Sequence, residues 1–350
     1  MLIFLLSTLI AHANVPDQTV AVNDAIVDKI VSEAMEMGIQ NESAWQKLGH
    51  WRATWRGPVS TADGGDFFLA SNGKTDPSAE LEATLRGFFR PPTESELRGN
   101  REREAENLDD IPLQHPVCRF PARLIYLSQQ LDLDPKSLAV TECPKLDEFL
   151  ARSSPSGAAI VFSSYYLQNP ASIFGHTFLR IHRRTGPDGE ANPSLTDDGV
   201  NFGAVVGDEG GIQYIVKGVV GLYPGRFSRQ GYHYKVREYN DFESRDLWEY
   251  QLNLTPQENW FLVAHIWELD NTHFAYFFRT ENCSYQIIAL LEAIRPNLDL
   301  LPAHWRSVTP VDTIRAASAV EGLVKDRVWR PSIRKQFLER IEPMDKAQRK

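Results

Sequence analysis

Hydrophobic positions along the chain change their spacing near residue 155. Before that point they recur every three or four residues, which is typical of amphipathic helices. Helices are predicted there over residues 19–46, 78–89, 121–131 and 146–152. Residues 98–110, between the second and third of these helices, are dense in charges of both signs. This run is predicted to be a solvated helix or a linker.

After residue 155 the spacing becomes two, as in strands that bury one face. Strands are predicted over residues 158–166, 174–182, 200–206, 212–220, 232–238, 245–254 and 273–279. Two helices accompany them, one starting at the capping sequence Thr255-Pro256-Gln257-Glu258 and one spanning residues 281–294. Consecutive strands with short connections, followed by helices, predict an α+β fold with a mostly antiparallel sheet.

Composition excludes several classes of protein. The chain has 350 residues, enough for about two domains. It carries 37 Lys and Arg against 46 Asp and Glu, a net charge of −9. An acidic chain without a long basic block argues against nucleic acid as a partner. After the first residues, no apolar run approaches the roughly 18 residues that cross a bilayer, which excludes a polytopic membrane protein.

The N-terminus has the pattern of an export signal. Leu2 to Ile10 is apolar, and Ala11-His12-Ala13 fits a cleavage site after Ala13. No Lys or Arg precedes the apolar run, so an apolar tail of a cytosolic protein is the alternative. Export leads to an oxidising compartment, where Cys118 and Cys143 are expected to form a disulfide. Cys283 is then the free cysteine.

Cys283 is the candidate nucleophile. Thr280 is a plausible cap, which puts Cys283 in the first turn of its predicted helix. The helix dipole and free amides there favour a thiolate and can stabilise an oxyanion beside the sulfur. The alternative is a buried, unreactive cysteine that acts as a small apolar residue.

His176 is the candidate base, because it begins a predicted strand directly after a glycine. A nucleophile and its base need to be near in space, not in sequence. A third group should orient the imidazole, and Asn201 is the first candidate, with His182 the second. A purely structural histidine is the alternative for His176.

Other residues give weaker signals. Tyr165 and Tyr166 are candidates to line the cleft, or are ordinary core or surface aromatics. No HExxH or CxxC spacing and no glycine-rich phosphate loop is present. The sequence therefore predicts no metal and no nucleotide cofactor.

Several long motifs resemble the Lnb N-terminal periplasmic domain family. They are DGGDFFLASNGKTDPSAEL (63–81), YYLQNPASIFGHTFLRI (165–181), GLYPGRF (221–227), VREYNDFESRDLWEYQLNL (236–254) and TENCSYQIIALL (280–291). The resemblance runs in order from about residue 60 to about residue 310. It implies a permuted papain-like fold, similar to that of lecithin–retinol acyltransferase, with the strand histidine before the helix cysteine.

By this resemblance the protein is a periplasmic thiol acyltransferase. It would move a fatty acyl chain from phospholipid to the N-terminal cysteine amine of bacterial lipoproteins. The motif match carries the nucleophile to Cys283 and the base to His176. Asn282, Tyr165 and Tyr166 are the predicted substrate-binding residues. An acyltransferase needs an apolar channel beside Cys283, and the aromatics between Phe274 and Phe278 could supply it or belong to the core. A papain-like peptidase or amidase acting on cell-wall peptides and a non-catalytic periplasmic scaffold are the alternatives.

These features predict an order of segments along the chain. They are a signal peptide (1–13), a helical N-terminal domain (14–95), a charged linker (96–115), a papain-like catalytic domain (116–322) and a basic C-terminal helix (323–350). The last segment has nine Lys and Arg against four acids. It is a candidate for peripheral contact with an anionic membrane, or a solvated helix packed on the domain.

Overall fold

The computed structural model describes residues 24–101, 113–140, 142–165, 175–184, 196–207, 211–270, 272–300 and 307–344. The expected signal peptide and most of the charged linker lie outside these residues. The chain divides into two compact units. Unit 1 comprises Met1–Ser154, Trp260–Phe274 and Leu290–Leu298, and unit 2 comprises Pro155–Asn259, Ala275–Ala289 and Asp299–Lys350.

The part before residue 155 is mainly helical. Its helices are α1 (Asp24–Glu36), α2 (Ser43–Leu48), α3 (Pro77–Phe89), α4 (Glu94–Arg101), α5 (Pro116–Arg119), α6 (Pro121–Leu131) and α7 (Pro144–Ser153). Strands β1 (Trp51–Thr54) and β2 (Gly57–Ser60) pair as an antiparallel hairpin. The single helix expected over residues 19–46 is wrong, because α1 ends at Glu36 and Gly38 takes a left-handed φ of 75°. That conformation favours glycine and ends a helix.

A buried arginine organises unit 1. Arg123 on α6 forms an ion pair with Glu80 on α3 and donates to the Phe67 carbonyl at 2.8 Å. Its guanidinium lies 4.1 Å from the centre of the Phe120 ring. Glu80 in turn accepts hydrogen bonds from the backbone amides of Leu69 and Ala70. The partners of this charge pair compensate the cost of burying it and fix the turn-rich segment before α3.

Unit 2 contains most of a seven-stranded sheet in the order β8-β6-β5-β4-β3-β7-β9. The strands are β3 (Pro155–Ser163), β4 (His176–Arg183), β5 (Asp198–Ala204), β6 (Tyr223–Gly231), β7 (Leu247–Leu252), β8 (Phe274–Tyr276) and β9 (Val324–Arg330). The pairings from β6 through β9 in this order are antiparallel. The predicted α+β class is therefore confirmed.

Helices follow or interrupt these strands. They are α8 (Gly211–Val220), α9 (Tyr232–Val236) with a π-helical turn (Arg237–Phe242), α10 (Pro256–Leu269), α11 (Cys283–Ile294), α12 (Pro310–Ala319) and α13 (Ile333–Ile341). Within the described ranges, none of the helices has the length and apolar character that crossing a membrane requires.

Two of the expected strands, 212–220 and 232–238, are wrong. They form α8 and α9, and the strand β6 lies between them. Apolar runs rich in Val and Ile do not distinguish a strand from a buried helix by spacing alone. The alternation in β6 buries Tyr223, Gly225 and Phe227, but glycine has no side chain and hides the pattern.

The expected C-terminal helix over residues 323–350 is wrong in its first part. Residues Val324–Arg330 form β9, which pairs with β7 so that Trp329 lies opposite Trp248. The two indole rings lie 5.6 Å apart, a cross-strand contact that stabilises the edge of the sheet. Helix α13 begins only at Ile333, after Pro331. Residues 345–350 lie outside the described residues.

The predicted disulfide between Cys118 and Cys143 is present, and Cys283 is the free cysteine. In the loop-entropy model, closing a loop of this separation stabilises the fold by about 3 kcal/mol. We expect thiol titration of the exported protein, denatured without reductant, to find one free cysteine. Reduction should raise the number to three. Three free thiols before reduction would contradict the disulfide.

Candidate active site

Cys283 is the first residue of α11, in the first turn where the sequence predicted it, and it is buried. The residues that follow it, among them Ile287, Ile288 and Leu290, are fully buried and hold the helix in the core. The helix therefore fixes the position of the sulfur.

Asn282, not Thr280, caps this helix. Its Oδ1 accepts hydrogen bonds from the amides of Ser284 at 3.0 Å and Tyr285 at 3.4 Å. Its Nδ2 donates to the carbonyls of Phe278 and Val308. The expectation of free amides beside the sulfur is therefore wrong for Ser284 and Tyr285, since the Asn282 side chain occupies them. The predicted substrate contact of Asn282 stays a prediction, and its capping role is what the structure assigns.

The backbone position directly before His176 requires glycine. Gly175 has a φ of 93°, a left-handed conformation that favours glycine. A Cβ atom there would lie 2.7 Å from both the Phe162 ring and the Ser163 carbonyl oxygen. Ser163, the last residue of β3, pairs with His176, the first residue of β4. Gly175 thus leads directly into β4, and the imidazole lies at the first residue of the strand.

Asn201 lies next to His176, while His182 does not. The Asn201 Oδ1 atom is 2.5 Å from His176 Nε2. An amide oxygen only accepts, so Nε2 carries a proton and Nδ1 is left for the thiol. His182 instead contacts Asp197 at 3.0 Å and Gln251 at 2.7 Å. Of the two candidates for the third residue, Asn201 therefore has the required geometry.

The register of the sheet explains this proximity. Leu179 on β4 pairs with Val200 on β5. Because the strands are antiparallel, the next residue of β5, Asn201, comes opposite the preceding residue of β4, Phe178. Phe178 shares a face of β4 with His176. The side chains of His176 and Asn201 therefore lie on the same face of neighbouring strands.

The surroundings of Cys283 favour the thiolate. Burial by itself raises the pKa of the thiol, but the charge of His176 and hydrogen bonds from His176 and Thr177 outweigh burial. Together they lower the pKa of Cys283 from 9.0 to about 6. A buried cysteine with such a pKa is ionised at neutral pH, which is the state a nucleophile requires.

Two residues that the sequence did not indicate also contact the sulfur. Thr177 donates to it from its backbone amide and its hydroxyl, and the hydroxyl oxygen lies 3.2 Å from Ser284 Oγ. Tyr276, at the end of β8, hydrogen-bonds to Cys283, and burial together with the Cys283 charge raises the pKa of its phenol. Thr177 follows His176 directly in the sequence, but nothing in the pattern distinguishes it from an ordinary strand residue.

A buried ionic cluster lies further along the same face of β4. The Nε atom of Arg180 donates a hydrogen bond to Asp197 at 2.8 Å, and the guanidinium also forms an ion pair with Glu249 on β7. Tyr232 donates to the second oxygen of Glu249 at 2.6 Å. Since these bonds connect β4 with β7 and with the start of α9, they fix the strand that carries His176.

The remaining predicted residues are less informative. Tyr165 is 66% exposed, and Tyr166 lies outside the described residues. Phe274 is fully buried and belongs to the core, whereas Phe277 and Phe278 are half-buried. Across the described ranges, no group of three or more His, Cys, Asp and Glu is arranged to hold a metal ion.

Comparison with protein families covers the part of the chain that holds the candidate site. A family model described as Lnb N-terminal periplasmic domain matches residues 145–319, which is half of the chain. The chain belongs to the Lnb N-terminal periplasmic domain family. The matched range contains His176, Asn201 and Cys283, and a periplasmic domain family supports a periplasmic location.

The Lnb N-terminal periplasmic domain does not account for the N-terminal part. Residues 37–130 match a second model, described as a domain of unknown function, DUF7843. The motif at 63–81 falls within this second model. No curated protein and no solved structure matches the chain.

The thiolate should depend on His176. We expect the ultraviolet absorbance of the Cys283 thiolate to appear with a midpoint near pH 6. In His176→Ala the pKa should rise toward or beyond the ordinary cysteine value of about 8.5, because burial then acts without the histidine charge. His182→Ala is the matched control, since it removes a histidine from the same face of β4 and should leave the midpoint unchanged. An unchanged midpoint in His176→Ala would show that the two groups do not interact.

Gly175 should be essential for the placement of His176. We expect Gly175→Ala to lower the free energy of unfolding by about 1–3 kcal/mol, because of the positive φ and the close contacts of the new Cβ. The thiol pKa should rise in the same variant. Gly207→Ala is the control, since a Cβ atom there meets nothing within 4 Å. Equal denaturation midpoints for the two variants would refute the strain.

Proposed function

We propose that this protein is a thiol acyltransferase of the periplasm. It takes a fatty acyl chain from a phospholipid as a Cys283 thioester and passes it to the N-terminal cysteine amine of a lipoprotein. The observation that carries the proposal is the interaction of the Cys283 thiol with His176, whose Nε2 also hydrogen-bonds to Asn201. Membership of the Lnb N-terminal periplasmic domain family supports the choice of reaction.

In the first half-reaction, the Cys283 thiolate attacks the carbonyl carbon of the donor ester. A carbon–sulfur bond forms and the ester carbon–oxygen bond breaks. The His176 imidazolium gives its proton to the leaving lysophospholipid oxygen. Asn201 accepts from His176 Nε2 and holds the imidazole in the orientation that turns Nδ1 toward the sulfur.

In the second half-reaction, the amine of the acceptor attacks the thioester. A carbon–nitrogen bond forms, the carbon–sulfur bond breaks and neutral His176 takes the proton of the amine. The thiolate and the imidazolium are thereby restored, so the cycle needs no cofactor and no further reactant.

Aromatic side chains near Cys283 support an acyl substrate. The Tyr276 ring lies 5.6 Å from Phe202 and 5.9 Å from Phe278, and Phe278 lies 5.1 Å from Tyr214. Because Tyr276 also bonds Cys283, the cluster reaches from the sulfur to the half-buried Phe278. Apolar surroundings of this kind suit a hydrocarbon chain better than the polar backbone of a cell-wall peptide.

A covalent acyl-enzyme should be detectable. After incubation with vesicles of phosphatidylethanolamine and phosphatidylglycerol, intact-mass analysis should find one fatty acyl adduct on the protein, released by hydroxylamine. Cys283→Ser and His176→Ala should each lower turnover by at least roughly a thousandfold, and the double variant little further, because the two residues act as a unit.

Cys283→Ala is the blank for this experiment. An adduct that persists in Cys283→Ala would rule out the thioester. Cleavage of cell-wall peptides that depends on Cys283, without any acyl adduct, would identify a peptidase or amidase instead. Unimpaired complementation of a deletion strain by Cys283→Ala would identify a non-catalytic scaffold.

A further inference from the structure

Helix α8 presents aliphatic side chains to solvent. Ile215, Val216, Val219 and Val220 are each about half exposed, at 45–52%, and Leu222 just beyond the helix is 65% exposed. We refer to these five residues as the aliphatic patch. Soluble proteins rarely leave contiguous large aliphatic side chains uncovered unless they contact a partner or a membrane.

The patch occupies one face of α8, and the opposite face is packed. Positions 215, 216, 219 and 220 fall within one arc of a helix, while 214 and 218 lie on the other side. The Tyr214 ring lies 5.1 Å from the Phe278 ring. A Cβ atom at Gly218 would come within 2.2 Å of the same ring, so the helix backbone lies directly against it. The orientation of the patch toward solvent is therefore fixed by packing.

The patch is linked to the candidate active site by a short chain of contacts. The Phe278 amide donates to the Gly218 carbonyl at 2.9 Å. The Phe278 carbonyl accepts from Asn282 Nδ2 at 3.1 Å, and Asn282 precedes Cys283 and caps its helix. Since Phe278 also contacts Tyr276, an acyl chain lying along these rings would extend from the sulfur toward α8.

The charges around the patch favour an anionic surface. Residues 211–236 contain four Lys and Arg and no Asp or Glu, in a chain whose net charge is −9. Two of the four, Arg229 and Lys235, are in ion pairs with carboxylates outside this range, so any attraction to an anionic surface comes from Arg226 and Lys217. Arg226, on β6 directly after the patch, is exposed, and Lys217 lies within α8. Aliphatic side chains beside cations are the pattern of helices that lie in a membrane interface.

The composition of the patch distinguishes a membrane from a protein partner. All five side chains are Val, Ile or Leu. Binding energy at protein interfaces comes mainly from Trp, Tyr and Arg, and Leu and Val are under-represented there. Hydrocarbon, in contrast, accepts any aliphatic side chain without a shaped pocket.

We propose that the aliphatic patch docks the protein on a phospholipid bilayer, with α8 in the interface beside the candidate active site. The inference rests on the proposed acyl transfer, whose donor has to leave a bilayer. Docking through α8 would bring the bilayer to the helix that packs on Phe278 and shorten the path of the donor lipid to Cys283.

The test is co-sedimentation with vesicles of phosphatidylglycerol and phosphatidylethanolamine. The double variant Val216→Glu/Val220→Glu should weaken vesicle binding at least about tenfold. It removes aliphatic area that the bilayer would bury, and it adds repulsion from anionic lipid. Ile333→Glu/Phe337→Glu on α13 is the matched control, since these side chains are 50% and 61% exposed. It should bind as the unaltered protein does, although it lies in the basic C-terminal segment, the other candidate for membrane contact.

Three results would overturn docking through α8: no vesicle binding by the unaltered protein, equal binding by the α8 variant, or loss of binding in the α13 variant. A second measurement separates docking from chemistry. With a short-chain phospholipid dispersed as monomers, the α8 variant should form the Cys283 adduct as fast as the unaltered protein. If the unaltered protein forms no adduct with monomers or vesicles, the proposed function fails, whatever the sedimentation shows.

Discussion

The contact of the Cys283 sulfur with His176 is the interaction on which the candidate site depends. A buried thiolate is costly, because burial alone raises the pKa of the thiol. The His176 charge and the two donors of Thr177 reverse that cost, and all three reach the sulfur only if the start of β4 meets the start of α11. Three features hold the start of β4 beside α11. They are the backbone conformation of Gly175, the register of β4 against β3, and the buried ionic cluster around Arg180. Packing of α11 through Ile287 and Ile288 holds the other side.

The sequence revealed the parts of this arrangement that local chemistry determines. Three local patterns were enough: a cysteine at a helix start, a histidine after a glycine, and a pair of cysteines around a short helix. In each case the structure has the residue at the position that the pattern predicted. The third member of the site was ambiguous, because nothing in the sequence shows whether Asn201, the first candidate, or His182, the second, lies next to His176. Only the register of β4 against β5 brings Asn201 to His176 and leaves His182 with Asp197.

The other differences between the sequence-based predictions and the structure also have physical causes. Val- and Ile-rich runs fit a strand or a helix by spacing alone, and the tertiary contacts of α8, such as that of Gly218 with Phe278, are not visible in the sequence. The cap was assigned to Thr280, since the sequence does not show that Asn282 bonds Ser284, Tyr285 and the distant Val308 carbonyl. Thr177 and Tyr276 were missed because their importance comes from tertiary hydrogen bonds to the sulfur, which leave no spacing in the sequence.

An acyltransferase passes the acyl group of Cys283 to an amine, whereas a hydrolase passes it to water. The most direct measurement is a single-turnover chase, in which isolated acyl-enzyme is mixed with a peptide that carries an N-terminal diacylglyceryl cysteine. Mass analysis should show the acyl group leaving the protein and appearing, in equal amount, as an amide on the peptide. Release of the acyl group as free fatty acid, with the peptide unchanged, would contradict acyl transfer and indicate a hydrolase.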